Sequence, residues 1–334
     1  GLVNDMKKLA MTGPKQSKLI DVEMPKLENE NSVIVKITYC GVCMSEHYDW
    51  SHAKEGMTFG HEGIGVVHQI GENVTNVKVG DRVSGPIYGG AEYCCTDKNN
   101  LIVIPDDIKD EEAVLEPLGC LISAVSKVKI PVIGDTVAVV GCGYMGCGAI
   151  SLLKMRGARV IAFDIRKECL EDALKYGASE VYTPEEYLEK HNSGFVSTGT
   201  GTFDGNGGFP LVMEWGETNE SLDFAINITA TCGQLAVGAY HTGEKRSVDV
   251  QQLNAKAIDC LSTHPREWDL LLASCKNAVQ LMHENQWSYQ HVPTKVYPIT
   301  QFDNAQGELT TKYGKYMKAI VDWTKFDGDP YIIK

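Results

Sequence analysis

The sequence lacks long apolar runs and an excess of positive charge. No run of about eighteen apolar residues occurs among its 334 residues, so we expect no helix that crosses a membrane. The formal net charge is −13, and a field of that sign repels phosphate backbones, which argues against nucleic acid as a partner. No basic segment followed by an apolar segment opens the sequence, so we also expect no export signal.

A disulfide framework is missing from the pattern, although cysteine is not rare. The eleven cysteines are odd in number and scattered through a chain that is too long to need disulfide bonds for stability. This usage favours a reducing, cytoplasmic setting in which some thiols bind metal and others pack as small apolar groups. The length suffices for roughly two domains, and no internal repeat is visible.

Hydrophobic patterning divides the chain into unlike parts. Short apolar runs broken by glycine turns predict an all-β unit up to about residue 104, with "SVIVKITYCGV" as one strand. A helix is predicted over 110–128, with a kink or restart at Pro117. The middle of the chain then alternates strand, helix and strand, which is typical of a βαβ unit.

A glycine motif joins the first strand and helix of that βαβ unit. In "VVGCGYMG", Gly141 permits a tight turn, Gly143 lets the backbone approach a pyrophosphate, and Gly146 lets helix and strand pack closely. The helix N-terminus, which includes Tyr144 and Met145, supplies free N–H groups for phosphates. The order of strand, glycines, helix and strand predicts a dinucleotide site.

The choice of dinucleotide depends on the end of the next strand. Asp164 ends that strand, 18 residues after Gly146, where a carboxylate would accept hydrogen bonds from ribose hydroxyls. A carboxylate there would repel a 2′-phosphate, so NAD is favoured over NADP. Arg166 lies two residues later and weakens that preference.

Thiols, imidazoles and carboxylates crowd into the segment from Tyr39 to Val67. Cys40 and Cys43 could form a redox or structural zinc pair, but no second such pair follows at zinc spacing. Cys43 and His61 with a carboxylate could instead form a catalytic zinc site with one open position. Glu116, in an apolar helix, needs a partner if it is buried, and a metal would satisfy it.

Several of these segments together resemble the zinc-dependent medium-chain alcohol dehydrogenase family. "CGVCMSE", "GHEGIGVV", "VGDRV", "LEPLG" and "VVGCGYMGCGAI" occur in that family's order, and "EPL" is most similar to the sorbitol and polyol dehydrogenase branch. The resemblance implies an α/β protein with a GroES-like β catalytic domain and a Rossmann domain with a doubly wound parallel sheet. The implied bounds are 1–122 and 264–334 for the catalytic domain, and 123–263 for the Rossmann domain.

The resemblance also implies roles for individual residues. Cys43 and His61 match zinc ligands, and either Glu62 or Glu116 supplies the third protein ligand. Ser45 matches the hydroxyl that relays the substrate proton. The family's four-cysteine structural lobe is missing after "RVSGPI", so one catalytic zinc per chain and no structural zinc is expected.

The outer proton path and the substrate pocket match the family less well. Some members have a histidine where this chain has Tyr48, and His47 comes one residue early. Trp50, His264 and Arg266 are candidates for substrate contact, although the last two could equally form a surface turn.

The sequence thus predicts a zinc-dependent NAD oxidoreductase. Its expected substrate is a secondary alcohol, namely a sugar alcohol, a cyclitol or a sugar hydroxyl, which it would interconvert with a ketone. The alternatives are a zinc-free quinone or enoyl reductase of the same fold and a non-catalytic NAD-binding protein. The resemblance further implies a homodimer or homotetramer.

Overall fold

The chain divides into two compact units. The computed structural model describes residues 4–130, 132–191 and 208–334. One unit is the chain up to Cys120 together with Glu267–Lys334, and the other is Leu121–Arg266.

Strands form the main sheet of the first unit and the centre of the second. In chain order they are β1 (Asp5–Gly13), β2 (Gln16–Glu23), β3 (Ser32–Val42), β4 (Gly63–Ile70), β5 (Arg82–Ser84), β6 (Tyr93–Asp97), β7 (Ile102–Val103), β8 (Thr136–Val140), β9 (Arg159–Phe163), β10 (Glu180–Tyr182), β11 (Phe209–Glu214), β12 (Thr229–Val237), β13 (Asp259–Ser262), β14 (Thr294–Pro298), β15 (Lys318–Asp322) and β16 (Tyr331–Ile333).

Helices lie mainly in the second unit and at its borders. They are α1 (His47–Ser51), α2 (Leu115–Lys127), α3 (Tyr144–Met155), α4 (Lys167–Lys175), α5 (Pro184–His191), α6 (Asn219–Ile228), α7 (Val250–Ala255), α8 (Trp268–His283) and α9 (Phe302–Gly307). Among the residues with described positions, no helix combines the length and the apolar character needed to cross a membrane.

An eight-stranded sheet built from both ends of the chain organises the first unit. Its order is β16-β14-β15-β3-β4-β5-β7, with β6 also paired to β3, and β1 and β2 form a separate hairpin. The central strand β3 has the predicted bounds, and its apolar side chains are buried on both faces. The short helix α1 interrupts the region predicted to be all β.

A six-stranded parallel sheet forms the second unit. Its order is β10-β9-β8-β11-β12-β13, and every pairing is parallel. The strand order reverses between β8 and β11, which is where open α/β sheets bind ligands at the carboxyl ends of their strands. Fully buried side chains such as Phe163, Val212 and Ile228 fill the core beneath it.

The helix predicted over 110–128 begins later than expected. A single 3-10 turn covers Asp110–Glu112, and α2 starts at Leu115. Pro117 is therefore the third residue of α2 and lies in its first turn, where a missing N–H is tolerated, so it does not kink the helix. The start at Leu115 also places Glu116 in that first turn.

Candidate metal centre and dinucleotide site

Pairing of β3 with β4 brings two distant sequence segments together. Cys40 of β3 lies opposite Gly63 of β4, and Gly41 N–H donates to the Glu62 carbonyl at 3.0 Å. Cys43 follows the last residue of β3, and His61 lies two residues before the first residue of β4. The register of the sheet thus places a thiol and an imidazole next to each other.

Polar neighbours surround the first two candidate ligands. The Ser45 hydroxyl donates to Cys43 Sγ at 3.0 Å. His61 Nδ1 lies 3.3 Å from Glu46 Oε1, and the other oxygen of Glu46 accepts from Gly60 N–H at 2.9 Å. Burial lowers the pKa of His61, but its hydrogen bonds with Cys43 and Glu46 outweigh burial and raise that pKa above its ordinary value.

Glu116 borders the imidazole from the first turn of α2. Its Oε2 lies 3.8 Å from His61 Nε2, and its Oε1 accepts from the Cys120 thiol at 3.0 Å. Burial and the negative charge of Glu62 raise the pKa of the Glu116 carboxyl to about 7. The sequence reasoning did not single out Cys120, and its spacing of four residues from Glu116 on one helix is the signal that could have found it.

Glu62 is buried beside a lysine that the sequence reasoning missed. Its Oε2 accepts from Lys318 Nζ at 2.8 Å, and the two side chains are 0% and 6% exposed. Its Oε1 is buried and has no hydrogen-bond partner among the described residues. Lys318 also donates to the Val42 carbonyl at 3.3 Å. Lys318 begins β15, which pairs with β3, and the only local signal was a lysine in an apolar strand.

These side chains fit a metal ion. One ligand atom each of Cys43, His61 and Glu62 lies within 4.8 Å of the other two. A thiolate, an imidazole and a carboxylate are the mixed donors of catalytic zinc sites. The unpartnered Glu62 Oε1 is a buried acceptor that a cation would satisfy.

The alternative pairing of Cys40 with Cys43 as a redox site receives no structural support. Cys40 is 2% exposed, and its thiol donates to the Gly41 carbonyl. Burial raises the pKa of Cys40 to about 12, so little thiolate forms near neutral pH.

The residues of α1 differ from one another in burial and in their contacts. Trp50 is 4% exposed within the hydrophobic core and donates its indole N–H to Asp303 at 2.8 Å, which gives it a packing role. His47 Nδ1 lies 3.1 Å from the Gln306 carbonyl, and the Gln306 amide donates to the Cys43 carbonyl at 3.3 Å. Tyr48 is exposed and stacks on a histidine ring of the next turn.

The glycine motif has the geometry expected of a phosphate cradle. Gly141 follows β8 with φ of 94°, and a Cβ on Gly146 would lie 1.8 Å from the Gly141 carbonyl oxygen. A Cβ on Gly143 would meet no atom of the described residues within 4 Å. Tyr144 and Met145 form the first turn of α3 and are half-buried. Helix α3 therefore packs directly against the turn that follows β8 at Gly146. Among the described residues, the space beside Gly143 is open.

Asp164 lies at the end of β9, beside this turn. Its Oδ2 accepts from Cys142 N–H at 2.8 Å, which ties the carboxylate to the glycine loop. Arg166 donates to it from its backbone N–H and from two nitrogens of its side chain. The Asp164 side chain is 3% exposed.

His264 and Arg266 lie in the Leu121–Arg266 unit, whereas the candidate metal ligands Cys43, His61 and Glu62 lie in the other unit. Both are exposed, and the His264 ring stacks on Tyr240 with centroids 4.7 Å apart. Arg266 N–H donates to the His264 carbonyl at 2.9 Å. This geometry is that of a surface turn before α8.

Comparison with known proteins gives two family matches along the chain. Residues 29–127 match the alcohol dehydrogenase GroES-like domain, and residues 145–283 match the zinc-binding dehydrogenase domain. A probable D-xylulose reductase A from Arthroderma otae is 28% identical over 355 residues, which cover 93% of this chain and 95% of that protein.

Solved structures share the fold. An Escherichia coli CFT073 alcohol dehydrogenase, complexed with NADH, has a TM-score of 0.78 at 19% identity and covers 96% of this chain and all of its own. An Escherichia coli L-idonate 5-dehydrogenase has a TM-score of 0.77 at 18% identity, covering 96% of this chain and 98% of that one. The GroES-like domain and the Rossmann-type parallel sheet predicted from the sequence are confirmed.

Proposed function

Because this chain belongs to the zinc-binding medium-chain dehydrogenase family, we propose that it oxidises a secondary alcohol to a ketone with NAD, and catalyses the reverse reaction. Zinc and NAD(H) are the typical cofactors of that family. The finer proposal is one catalytic zinc per chain, with Cys43 and His61 as ligands and Glu62 or Glu116 as the third.

The observation that carries the proposal is the cluster of Cys43, His61 and Glu62, with ligand atoms within 4.8 Å of one another. A zinc-free reductase or an NAD-binding sensor would have no use for this set of donors. A zinc ion held there supplies Lewis-acid chemistry, which lowers the pKa of a substrate hydroxyl.

Ser45 is the group that we assign to the substrate proton. Its hydroxyl donates to Cys43 Sγ at 3.0 Å, so its oxygen lies beside the ligand set with lone pairs free to accept. Ser45 would accept the substrate proton while its own hydroxyl proton passes outward, which would leave the substrate as a better hydride donor. Beyond Ser45, His47 and Tyr48 are the candidates for passing the proton outward.

The Leu121–Arg266 unit would hold the cofactor. The open space at Gly143 and the N-terminus of α3 suit a pyrophosphate, and Asp164 suits a ribose. The nicotinamide supplies the hydride acceptor.

A polyol or its ketose is the proposed substrate class. The support is the relative described as a probable D-xylulose reductase, which aligns along almost the whole chain. His264 and Arg266 remain proposed substrate contacts, and Trp50 would act through the packing of α1. We also propose a cytoplasmic location, because all eleven cysteines are free, and a homodimer or homotetramer assembled through Rossmann edge strands.

The test is NADH formation with a panel of polyols, followed by absorbance, together with zinc content per chain. Wild-type protein should turn over at least one polyol and retain close to one zinc. Cys43→Ser and His61→Ala should each lower kcat by at least about a thousandfold, because each removes a ligand from the ion that activates the hydroxyl. Both variants should still bind NADH.

Three results would contradict the proposal. A variant that lost zinc but kept near wild-type kcat would rule out the metal mechanism. Wild-type protein without zinc, even after zinc is supplied, would favour the zinc-free reductase. NADH binding with no turnover of any alcohol or ketone would favour the non-catalytic protein.

A further inference from the structure

We propose that Gln306 is a positioning residue for the candidate metal site, because it holds the turn of residues 43–47. This 43–47 turn carries the Cys43 thiol and the Ser45 hydroxyl. The inference rests on the proposed function, in which these two groups are a metal ligand and the acceptor of the substrate proton. Gln306 lies on α9, 263 positions from Cys43 in the sequence, so the contact forms only when distant parts of the chain have folded together.

The 43–47 turn lies just beyond the sheet. The pairing of β3 with β15 ends at Val42, which lies opposite Ala319. Cys43 is the next residue, and it precedes a single 3-10 turn at Met44–Glu46. Its carbonyl accepts from Glu46 N–H at 3.2 Å, and 3-10 turns have poorer hydrogen-bond geometry than α-helices. Neither the sheet nor a regular helix therefore fixes the direction of the Cys43 side chain.

Gln306 contacts this turn at both of its ends. Its side-chain amide donates to the Cys43 carbonyl at 3.3 Å, and its backbone carbonyl oxygen lies 3.1 Å from His47 Nδ1. A carbonyl oxygen only accepts hydrogen bonds, so Nδ1 carries the proton in this contact. Ser45 lies between these two contacts, and its hydroxyl donates to Cys43 Sγ at 3.0 Å. One residue thus holds the first and last positions of the segment that carries the thiol and the hydroxyl.

Helix α9 is itself anchored, so Gln306 has a fixed position. Asp303, three residues before Gln306, accepts from the Trp50 indole N–H at 2.8 Å. Its other oxygen accepts from the backbone N–H and the hydroxyl of Ser17 at 2.8 and 3.0 Å. Phe302 packs in the hydrophobic core. Because residues three apart lie on the same side of a helix, one face of α9 holds both α1 and the 43–47 turn.

Stability alone does not account for an amide at this position. Gln306 is 0% exposed, and within the described part of the chain its Oε1 is buried without a hydrogen-bond partner. An unsatisfied buried acceptor costs free energy, whereas an apolar side chain of the same shape avoids that cost. What the amide adds is the hydrogen bond to the Cys43 carbonyl. Groups that hold metal ligands in this indirect way tune the affinity of a metal site.

The test compares metal binding by variants of the full chain. Gln306→Met keeps the length of the side chain and removes both polar atoms, whereas Gln306→Asn keeps the amide but withdraws it by one carbon. Gln301→Met is the matched control, because the Gln301 amide also donates to a backbone carbonyl, that of Gly328 at 2.9 Å, from the residue that precedes α9.

Two measurements report on the site. Competition with a fluorescent chelator gives the affinity for Zn²⁺. Absorption of the Co²⁺-loaded protein reports the bond between the metal and the Cys43 thiolate, which Zn²⁺ with its filled d shell does not show. Steady-state kinetics with a polyol and NAD adds kcat and KM.

We expect Gln306→Met to bind Zn²⁺ about tenfold or more weakly than wild type, because the Cys43 thiolate is no longer held in place. Its thiolate–Co²⁺ absorption per bound ion should be weaker or shifted. Its kcat should fall about tenfold or more while KM for NAD changes less than about twofold, because cofactor binding does not involve this turn. Gln306→Asn should change the affinity and the absorption in the same direction, and Gln301→Met should match wild type.

The inference is wrong if both Gln306 variants keep the wild-type absorption per bound Co²⁺, since Gln306 would then serve only the packing of α9. If Gln306→Met does not fold, the same measurement on Gln306→Asn decides. If wild type binds neither Zn²⁺ nor Co²⁺, the proposed metal site fails and the inference fails with it. If wild type binds metal but turns over no substrate, the proposed reaction fails, while affinity and absorption still test Gln306.

Discussion

At the scale of single residues, the candidate metal site contains the buried ion pair of Glu62 and Lys318. The two side chains are 0% and 6% exposed, and within the described part of the chain one carboxylate oxygen of Glu62 lacks a hydrogen-bond partner. A buried charge without its counterion costs much more than an exposed one. Lys318 thus lets the chain keep a negative charge beside the ligand set when no metal is bound.

Replacing Lys318 tests this role. In metal-free protein, Lys318→Met should lower the free energy of unfolding by about 3 kcal/mol or more, because Glu62 loses the buried lysine that pairs with it. Urea unfolding, followed by circular dichroism in the presence of a chelator, measures the change.

The matched control is Lys7→Met, which removes the exposed pair of Lys7 with Asp21, whose side chains are 44% and 58% exposed. That change should have little effect, because solvent screens exposed pairs. Equal losses of unfolding free energy in the two variants would show that the buried Lys318–Glu62 pair stabilises the protein no more than an exposed pair does.

At the scale of secondary structure, the glycines in the turn from β8 into α3 have different structural roles. Gly146 allows the helix to touch the preceding turn, since a Cβ there would lie 1.8 Å from the Gly141 carbonyl oxygen. Gly143 faces open space and has a φ of −78°, which any residue adopts. Gly146 is thus required by the packing of α3 against the turn, whereas Gly143 leaves space for a ligand.

Alanine at each glycine should therefore give opposite results. Gly146→Ala should lower the free energy of unfolding by about 2 kcal/mol or more, because the helix must move away from the turn. Gly143→Ala should leave stability nearly unchanged but weaken NADH binding about tenfold or more, because its methyl group occupies space meant for the pyrophosphate. Loss of stability in Gly143→Ala with NADH affinity intact would refute this assignment.

The end of α6 is held by a buried lysine. Lys256 is 4% exposed, and its Nζ donates to the carbonyls of Ile226, Asn227 and Thr229 at 3.1, 2.9 and 3.0 Å. These are carbonyls that a helix leaves without internal partners at its C-terminus. Burial nevertheless lowers the pKa of Lys256 to about 8.

This lowered pKa predicts a pH dependence. Between about pH 8 and the ordinary lysine pKa of 10.5, the unfolded chain keeps a proton that the folded chain has released, so folding is favoured more as pH rises. The stability of wild type relative to Lys256→Met should increase by roughly 1 to 3 kcal/mol between about pH 7.5 and pH 10. Urea unfolding of both proteins at each pH measures this change. If the stability difference between wild type and Lys256→Met were the same at both pH values, the pKa of Lys256 in the folded protein would be near that of free lysine.

At the scale of the whole molecule, each compact unit is proposed to bind its own ligand. Zinc would stabilise the unit that holds Cys43, and NADH the unit that holds Gly143. A ligand that binds only the folded state adds about 2.7 kcal/mol of stability at a hundred times its Kd. Both ligands should therefore raise the melting temperature of wild-type protein.

Two variants separate the two effects. In Cys43→Ser, zinc should no longer raise the melting temperature, whereas NADH should still raise it. In Gly143→Ala, NADH should raise the melting temperature much less than in wild type, whereas the increase with zinc should be unchanged. Differential scanning fluorimetry with each ligand measures both. Loss of both rises in either variant would mean that one substitution disturbs both proposed sites.

The sequence by itself determined the features that are local in the chain. Alternation and glycine turns predicted β3, and the run of strand, glycines and helix predicted β8 and α3, because these patterns depend on neighbouring residues. Cys43 and His61 were identified as candidates because metal ligands follow short motifs. The start of α2 was predicted too early, since its acidic first residues form a separate turn before Leu115.

Only the tertiary structure decided the contacts between residues far apart in sequence. Lys318 reaches Glu62 across 256 positions because β15 pairs with β3. Trp50 proved to be a core residue because Asp303, from the far end of the chain, accepts its indole N–H. Such contacts follow from strand order and register, which a local pattern does not specify.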